Sequence, residues 1–286
     1  MRKFGAHQSI EGGYTKALER ISGIGGRCLQ IFSTSPRGWN FAKIDDVEIA
    51  AFLTRKKELG IDPIYFHASY LINLADKGRI GSLSKLSLIS ELNISSKLHI
   101  KGTIVHLGSF KDYLIDDLHK DKPIENRYAT LIKQIKEILE KTPDNTLLII
   151  ENAGNKKIGK DLDEIATVIK QVDDPRIRVC IDTCHLSSAG YDLSNPGKID
   201  QFLETFDVMI GLERLEVIHF NDSRDPFNSG RDRHENIGVG TIGIQTFRLI
   251  LNHPKLKHLP FIIETPGFDK NGPDKKNLDI LKSLIA

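Results

Sequence analysis

Eight short segments rich in Ile, Val, Leu and Phe recur along the chain, each separated from the next by a longer stretch: Lys3–Gln8, Cys28–Ser33, Ile61–His67, Ile100–Leu107, Thr146–Asn152, Arg178–Asp182, Leu215–Asn221 and Pro260–Thr265. Near-continuous apolar runs of this length suit strands buried on both faces, as parallel strands flanked by helices are. The intervening stretches are amphipathic. Tyr128, Leu131, Ile132, Ile135, Ile138 and Leu139 share one face at helical spacing, with Lys and Glu opposite. Leu162, Ile165, Val168 and Ile169 follow Asp161, which is expected to cap that helix, and Leu278, Leu281, Leu284 and Ile285 close the chain. No Pro/Gly/Ser-rich linker or break in composition interrupts the alternation. The expected fold is therefore α/β, a closed (β/α)8 TIM barrel forming a single domain over residues 1–286, a length that such barrels commonly reach. A doubly wound open sheet is the competing arrangement, and the count of eight disfavours it.

Composition excludes several functions. Lys and Arg number 40 against 38 Asp and Glu, a formal charge of +2, so neither a strongly basic coat for nucleic acid nor an acidic tail is present. A local basic groove stays possible. The longest apolar run, Ile49 to Leu53, is far too short to span a membrane, and the opening Met1-Arg-Lys lacks a signal-peptide segment. Three cysteines, Cys28, Cys180 and Cys184, are too few and wrongly spaced for a disulfide framework or a Cys-based zinc finger. A reducing, cytoplasmic setting is expected, with Cys184 a buried free thiol.

The polar residues fall in a pattern. His67 ends the third predicted strand, His106 and Glu151 lie near the ends of the fourth and fifth, and Asp182 and His185 end the sixth. His219 and Glu264 lie near the ends of the seventh and eighth, and Asp232-Arg233-His234 follows in the long loop after the seventh. All are predicted at the carboxyl end of a barrel, where barrel active sites are built. Taken singly, a histidine at a strand end reads as a hydrogen-bonded structural residue. A buried carboxylate such as Glu151 is harder to set aside, because burial without a cation or donors is costly. Five histidines and four carboxylates, without thiolate, suit zinc or another first-row divalent ion. They are too many for one tetrahedral ion and enough for two or three sharing carboxylates. Paired ions can stabilise the attacking and leaving oxygens of a phosphoryl displacement, so the residues point to multinuclear metal hydrolysis of a phosphoester. His7 is open between a core hydrogen-bonding role and one that steadies a ligand or phosphate. His99, His119, His253 and His258 read as surface residues.

These motifs resemble a known family. His67-Ala-Ser-Tyr-Leu-Ile-Asn-Leu-Ala75, Arg178-Val-Cys-Ile-Asp-Thr-Cys-His185 and Asp232-Arg-His-Glu-Asn-Ile-Gly238 are similar to signatures of the endonuclease IV family, the zinc-dependent apurinic/apyrimidinic endonucleases of base excision repair. Gly5-Ala-His-Gln-Ser9, Gln30-Ile-Phe-Ser-Thr-Ser-Pro-Arg-Gly-Trp39, Glu151-Asn-Ala-Gly154, His219-Phe-Asn-Asp222 and Glu264-Thr-Pro266 extend the likeness over the whole chain.

The resemblance implies a TIM barrel with three zinc ions per chain: His67 and His106 on the first, Glu151 bridging to the second, Asp182, His219 and Glu264 completing the second, and His185, Asp232 and His234 holding the third. It implies Glu151 and Glu264 as catalytic residues. A metal-bound hydroxide would attack the phosphate 5′ to an abasic site in duplex DNA, giving a 3′-hydroxyl and a 5′-deoxyribose phosphate, and 3′-repair phosphodiesterase activity would accompany it. Arg37, Tyr70 and Leu71 would enter the DNA at the lesion, where the missing base lowers the stacking penalty of extrusion. Three zinc ions would raise the formal charge to +8. Arg37, Lys156, Lys157, Arg224, Arg231, Arg233, Lys270 and Lys275 are candidates for phosphate contacts. A monomer suffices, nucleoid-associated in a prokaryote. The alternatives are a divalent-metal sugar isomerase or epimerase on a related barrel, and a non-enzymatic metal-stabilised DNA-binding module.

Overall fold

A computed structural model describes residues 2–110, 128–154 and 156–285. The strands in chain order are β1 Lys3–Gln8, β2 Cys28–Phe32, β3 Ile64–His67, β4 Gly102–Val105, β5 Leu147–Glu151, β6 Ile177–Asp182, β7 Leu215–His219, β8 Asp222–Ser223, β9 His234–Glu235 and β10 Pro260–Ile263. Eight of them pair in parallel around a closed ring, β1-β2-β3-β4-β5-β6-β7-β10 and back to β1. This is the (β/α)8 barrel expected from the sequence. β8 and β9 stand apart as a two-stranded antiparallel ladder, Asp222 opposite Glu235 and Ser223 opposite His234.

Several strands are shorter than the apolar runs that announced them, because hydrogen-bond partners run out first. Ile61 is buried, but its N–H goes to the carbonyl of Lys56, and Pro63 has no N–H to give, so β3 begins at Ile64. Phe220 still donates to Ile262 at 2.7 Å, whereas the Asn221 N–H turns to the Thr183 hydroxyl at 2.9 Å, ending β7.

Helices α1 Tyr14–Gly23, α2 Asp46–Leu59, α3 Arg79–Lys97, α4 Ala129–Glu140, α5 Leu162–Val172, α6 Thr183–Ala189, α7 Pro196–Met209, α8 Ile244–Asn252 and α9 Lys275–Ser283 are described around the barrel. Their ends carry the expected chemistry. Asp45, Asn195 and Asp274 each accept an N–H of the first turn, and Pro196 opens α7 where no N–H is needed. Asp161 occupies the capping position of α5 as expected, but its side chain makes no cap hydrogen bond. The predicted apolar stripes face inward: Leu131, Ile132, Ile135, Ile138 and Leu139 on α4, and Leu278 and Leu281 on α9, are buried.

Alternation along the strands sorts the core into two parts. Residues facing out, among them Phe4, Leu29, Ile31, Phe66, Leu148, Ile150, Val179, Ile218 and Phe261, join the helices in one large apolar cluster. Residues facing in form a separate plug of Cys28, Tyr65, Ile104, Ile149, Cys180, Val217 and Ile262, one from each of seven strands. The next inward position on each strand lies two residues further toward the carboxyl end. Those positions are Gln30, His67, His106, Glu151, Asp182, His219 and Glu264. The fold thus sets a polar ring directly on an apolar floor.

Candidate metal centre

Six contiguous staves, β3, β4, β5, β6, β7 and β10, supply His67, His106, Glu151, Asp182, His219 and Glu264. His185 comes from the first turn of α6, whose N-terminus is capped by the Asp182 carboxylate through the His185 N–H at 3.0 Å. Asp232 and His234 arrive from the long loop after β7. The nine residues singled out in the sequence converge, and their donor atoms sort into overlapping groups: His67, His106 and Glu151; Glu151, Asp182, His219 and Glu264; and His185, Asp232 and His234. Asp182, Cys184 and His234 form a further such group, although Cys184 is a buried free thiol whose pKa burial raises.

Glu151 is the hub. Its Oε2 lies 3.1 Å from His67 Nε2 and 3.4 Å from His106 Nε2, and its Oε1 lies 3.0 Å from His219 Nδ1 and 3.3 Å from His185 Nδ1. His219 Nδ1 is also 3.5 Å from Glu264 Oε2 and 3.9 Å from Asp182 Oδ2. His185 Nε2 meets Asp232 Oδ1 at 2.9 Å.

On His67 and His185 Nε2 faces a carboxylate, Glu151 or Asp232, and Nδ1 is tied to a neutral acceptor, as around a metal. His67 Nδ1 pairs with the Ala68 carbonyl at 2.8 Å, and His185 Nδ1 with the Asn152 carbonyl at 2.9 Å. Nε2 of His234 is buried with no hydrogen-bond partner, 3.5 Å from both Asp182 Oδ2 and Asp232 Oδ1. A nitrogen aimed between two carboxylates is a donor set that a divalent cation satisfies.

Electrostatics point the same way. Burial alone would raise the Glu264 carboxyl, yet the imidazoles of His219 and His67 bring it down to about 2. Burial opposes ionisation of Glu151 and Asp232 as well, and the surrounding histidines, His106 and His219 for Glu151 and His185 for Asp232, overcome it. Burial would lower His185, but Asp182 and Asp232 lift it to about 10. Glu151, Asp232 and Glu264 are thus ionised, and protons on His67, His185 and His219 balance them. A cation entering this cluster displaces those protons.

Residues 18–284 match the family described as xylose isomerase-like TIM barrel. A protein of Thermosipho melanesiensis named probable endonuclease 4 is 38% identical over 273 residues, 93% of this chain and 93% of its own. The chain belongs to the endonuclease IV family. The crystal structure of endonuclease IV from Thermus thermophilus superimposes with a TM-score of 0.84 at 30% identity, covering 99% of this chain and 98% of that one. A D-tagatose 3-epimerase-like protein, at 19% identity and a TM-score of 0.73, shares the fold.

Two loops beside the endonuclease IV cluster hold the remaining expected residues. Tyr70 is 69% exposed and Leu71 38%. The Tyr70 ring packs edge-on against Phe32 with centroids 5.4 Å apart, near the His67 ring at 6.4 Å. Arg37 is exposed on the loop after β2, and the Ser69 hydroxyl donates to the Pro36 carbonyl at 2.7 Å. A cavity of about 350 Å³ opens between the Tyr70 loop and the cluster, with Tyr70, Lys157, Glu264 and Pro273 on its wall.

Some of the basic residues expected on this face are already engaged. Arg233 forks onto Asp225 at 2.6 and 2.5 Å, Arg224 lies 3.5 Å from Glu235, and Lys275 pairs with Asp279 at 2.5 Å. Of the histidines read as surface residues, His99 and His258 are exposed. His253 instead pairs with Asp200 at 2.9 Å, and His119 lies outside the described residues.

Sequence reasoning missed the residues that hold the nine donors in place. Asn221 donates to Asp182 Oδ2 at 2.6 Å and accepts the Glu264 N–H at 2.7 Å, while Asn152 accepts the Asp182 N–H at 2.6 Å. Asp222 is buried and accepts four backbone N–H groups, from Ser223 and Ile242 on Oδ1 and from Gly238 and Gly240 on Oδ2. It thereby folds the loop that carries Asp232 and His234. At Gly240 a Cβ would stand 2.5 Å from Asp222 Oδ1, so the loop closes on its anchor only with glycine there. The one signal in the sequence was position: Asn152 and Asn221 flank ligands, and Asp222 opens the ligand-bearing loop.

Proposed function

We propose that this protein is an endonuclease that hydrolyses the phosphodiester 5′ to an abasic site in duplex DNA, leaving a 3′-hydroxyl and a 5′-deoxyribose phosphate. Three zinc ions would be held by His67, His106 and Glu151, by Glu151, Asp182, His219 and Glu264, and by His185, Asp232 and His234. One observation carries the reading: three donor groups, two of them sharing the buried carboxylate of Glu151, meet at one open cavity, in a chain that matches a probable endonuclease 4 over 93% of its length. Bound divalent ions supply Lewis-acid stabilisation of phosphoryl oxygens and lower the pKa of water.

The chain's own residues do the rest. Glu151, sealed beneath the cluster, fixes the spacing of the donor groups. The Glu264 carboxylate, 18% exposed at the cavity, is placed to orient the phosphate region and hold a proton in transit. Tyr70 and Leu71 offer an aromatic and an apolar surface to the gap left by a missing base, and Arg37 a cation for the adjacent backbone. An abasic nucleotide enters the cavity without the unstacking penalty of an intact one. The same arrangement supports removal of 3′ blocking groups as a 3′-repair phosphodiesterase. A monomer working in the cytoplasm, on nucleoid DNA in a prokaryote, meets these requirements; among the described residues no helix is long and apolar enough to cross a membrane.

The competing sugar isomerase or epimerase reading draws on fold likeness alone, and the third donor group and the exposed Tyr70-Leu71 pair favour a polymer substrate. Incubating zinc-loaded protein with a duplex carrying one abasic analogue, then mapping the cut ends, tests the assignment. Incision immediately 5′ to the lesion with a 3′-hydroxyl is expected. Turnover of a free ketose with no incision would overturn it.

A further inference from the structure

Two inward positions at the level of the polar ring, His7 on β1 and Gln30 on β2, belong to no donor group. Gln30 on β2 is fully buried, and its amide is spent on three neighbours. Its Oε1 lies 2.6 Å from His219 Nε2, and its Nε2 donates to Glu264 Oε1 at 2.5 Å and to His7 Nδ1 at 2.9 Å. Since the amide oxygen can only accept, the His219 proton resides on Nε2. Nδ1 is then the nitrogen left for a cation, a proton in the metal-free cluster or a metal ion once one binds, and it faces Glu151 Oε1 at 3.0 Å and Glu264 Oε2 at 3.5 Å. On Glu264, the amide ties down Oε1, so that Oε2 is the oxygen turned to the cluster. His7 accepts the second amide proton while burial keeps its imidazole neutral, its pKa pushed down to about 4.

We infer that Gln30 is a positioning residue that selects the His219 tautomer and the Glu264 rotamer, and so sets the affinity of the donor group formed by Glu151, Asp182, His219 and Glu264. Two other histidines of the cluster take their orientation from backbone carbonyls, His67 from Ala68 and His185 from Asn152. His219 has a side chain in that role, so here the orienting bond can be removed by substitution. Loss of such an outer partner lowers metal affinity on the order of 10- to 100-fold.

The inference rests on the metal-centre reading above. Gln30→Met keeps length and bulk while removing both bonds, whereas Gln30→Glu keeps an acceptor for His219 and sets a like charge against Glu264. Two measurements on the zinc-loaded protein decide the matter: two-bond ¹H–¹⁵N imidazole spectra, which show which nitrogen of each histidine carries hydrogen, and zinc content under competition with a graded chelator. In the wild type, His219 is expected protonated on Nε2. Gln30→Met should give up about one zinc per chain at a chelator level roughly 10-fold or more below wild type, with His67 and His185 unchanged. Gln30→Glu should retain the His219 tautomer. A His219 protonated on Nδ1 in the wild type, or a Gln30→Met variant that keeps every ion as tightly as wild type, overturns the role of Gln30 and leaves the nuclease assignment standing. A wild-type protein that takes up no zinc overturns both.

Discussion

The hydroxyl of Ser69 donates to the backbone carbonyl of Pro36 at 2.7 Å, while its oxygen accepts the Leu71 N–H at 3.2 Å. One side chain thereby ties the loop bearing Arg37 to the loop bearing Tyr70 and Leu71. If these three residues engage the lesion together, their spacing depends on this tie. Ser69→Ala removes a bond worth about 1 kcal/mol, so KM for an abasic duplex is expected to rise several-fold with kcat near wild type. Steady-state kinetics separate the two, and an equal fall in kcat would place Ser69 in the chemistry instead.

Glu151→Gln keeps the shape of the hub and removes its charge. Turnover is expected to fall on the order of 10²- to 10⁴-fold with far-ultraviolet circular dichroism unchanged. Metal content should fall as well, because this carboxylate joins two donor groups. Near-wild-type turnover would remove Glu151 from the mechanism.

Asp222 anchors the loop bearing Asp232 and His234 without touching the cavity. Asp222→Ala deprives four backbone N–H groups of a charged acceptor, a loss of at least about 2 kcal/mol in urea denaturation of the metal-free protein. The zinc expected on His185, Asp232 and His234 should be lost before the other two, as metal analysis after graded chelation would show. Simultaneous loss of all three would mean that the loop does not act locally.

Glu91 on α3 makes stability depend on pH. It is buried, its Oε1 receives the Ser87 hydroxyl at 3.2 Å, and its Oε2 has no hydrogen-bond partner. Burial pushes its pKa up from 4.5 to about 7. A carboxyl that prefers the proton when folded adds stability that is complete below pH 4.5 and is lost as pH rises through 7. Glu91→Gln, which stays neutral, should therefore gain roughly 3 kcal/mol on the wild type between acid and about pH 8.5. Urea midpoints of both proteins at several pH values give the difference, in which contributions from the metal centre cancel. A pH-independent difference would refute the assignment.

What the sequence revealed followed from periodicity and chemical type. Strands buried on two faces advertise themselves as apolar runs, and a His, Asp or Glu closing such a run has few places to point but the barrel mouth. Six of the nine donors could be found that way, while His185, Asp232 and His234 lie beyond strand ends, on α6 and in the loop after β7. Gln30 could not, because an amide inside Cys-Leu-Gln-Ile-Phe carries no chemical signature until His219 and Glu264, far away in the chain, come within reach. Asp222 hid for the same reason, beside Asn221 in a stretch that reads as strand end. The two-residue ladder β8–β9 is too short for any pattern, being fixed by the Asp222 anchor rather than by propensity. The exposure of Tyr70 runs against hydropathy, which places aromatics inside; only the turn after His67 brings it out.

The apolar floor of Cys28, Tyr65, Ile104, Ile149, Cys180, Val217 and Ile262 makes the barrel a thimble with no hole in its base. Whatever reaches the cluster, whether ion, solvent, scissile phosphate or chelator, enters and leaves through the same doorway. A duplex lying across that doorway is then also a stopper, so an enzyme caught on its substrate should hold its ions against a chelator that strips the idle protein.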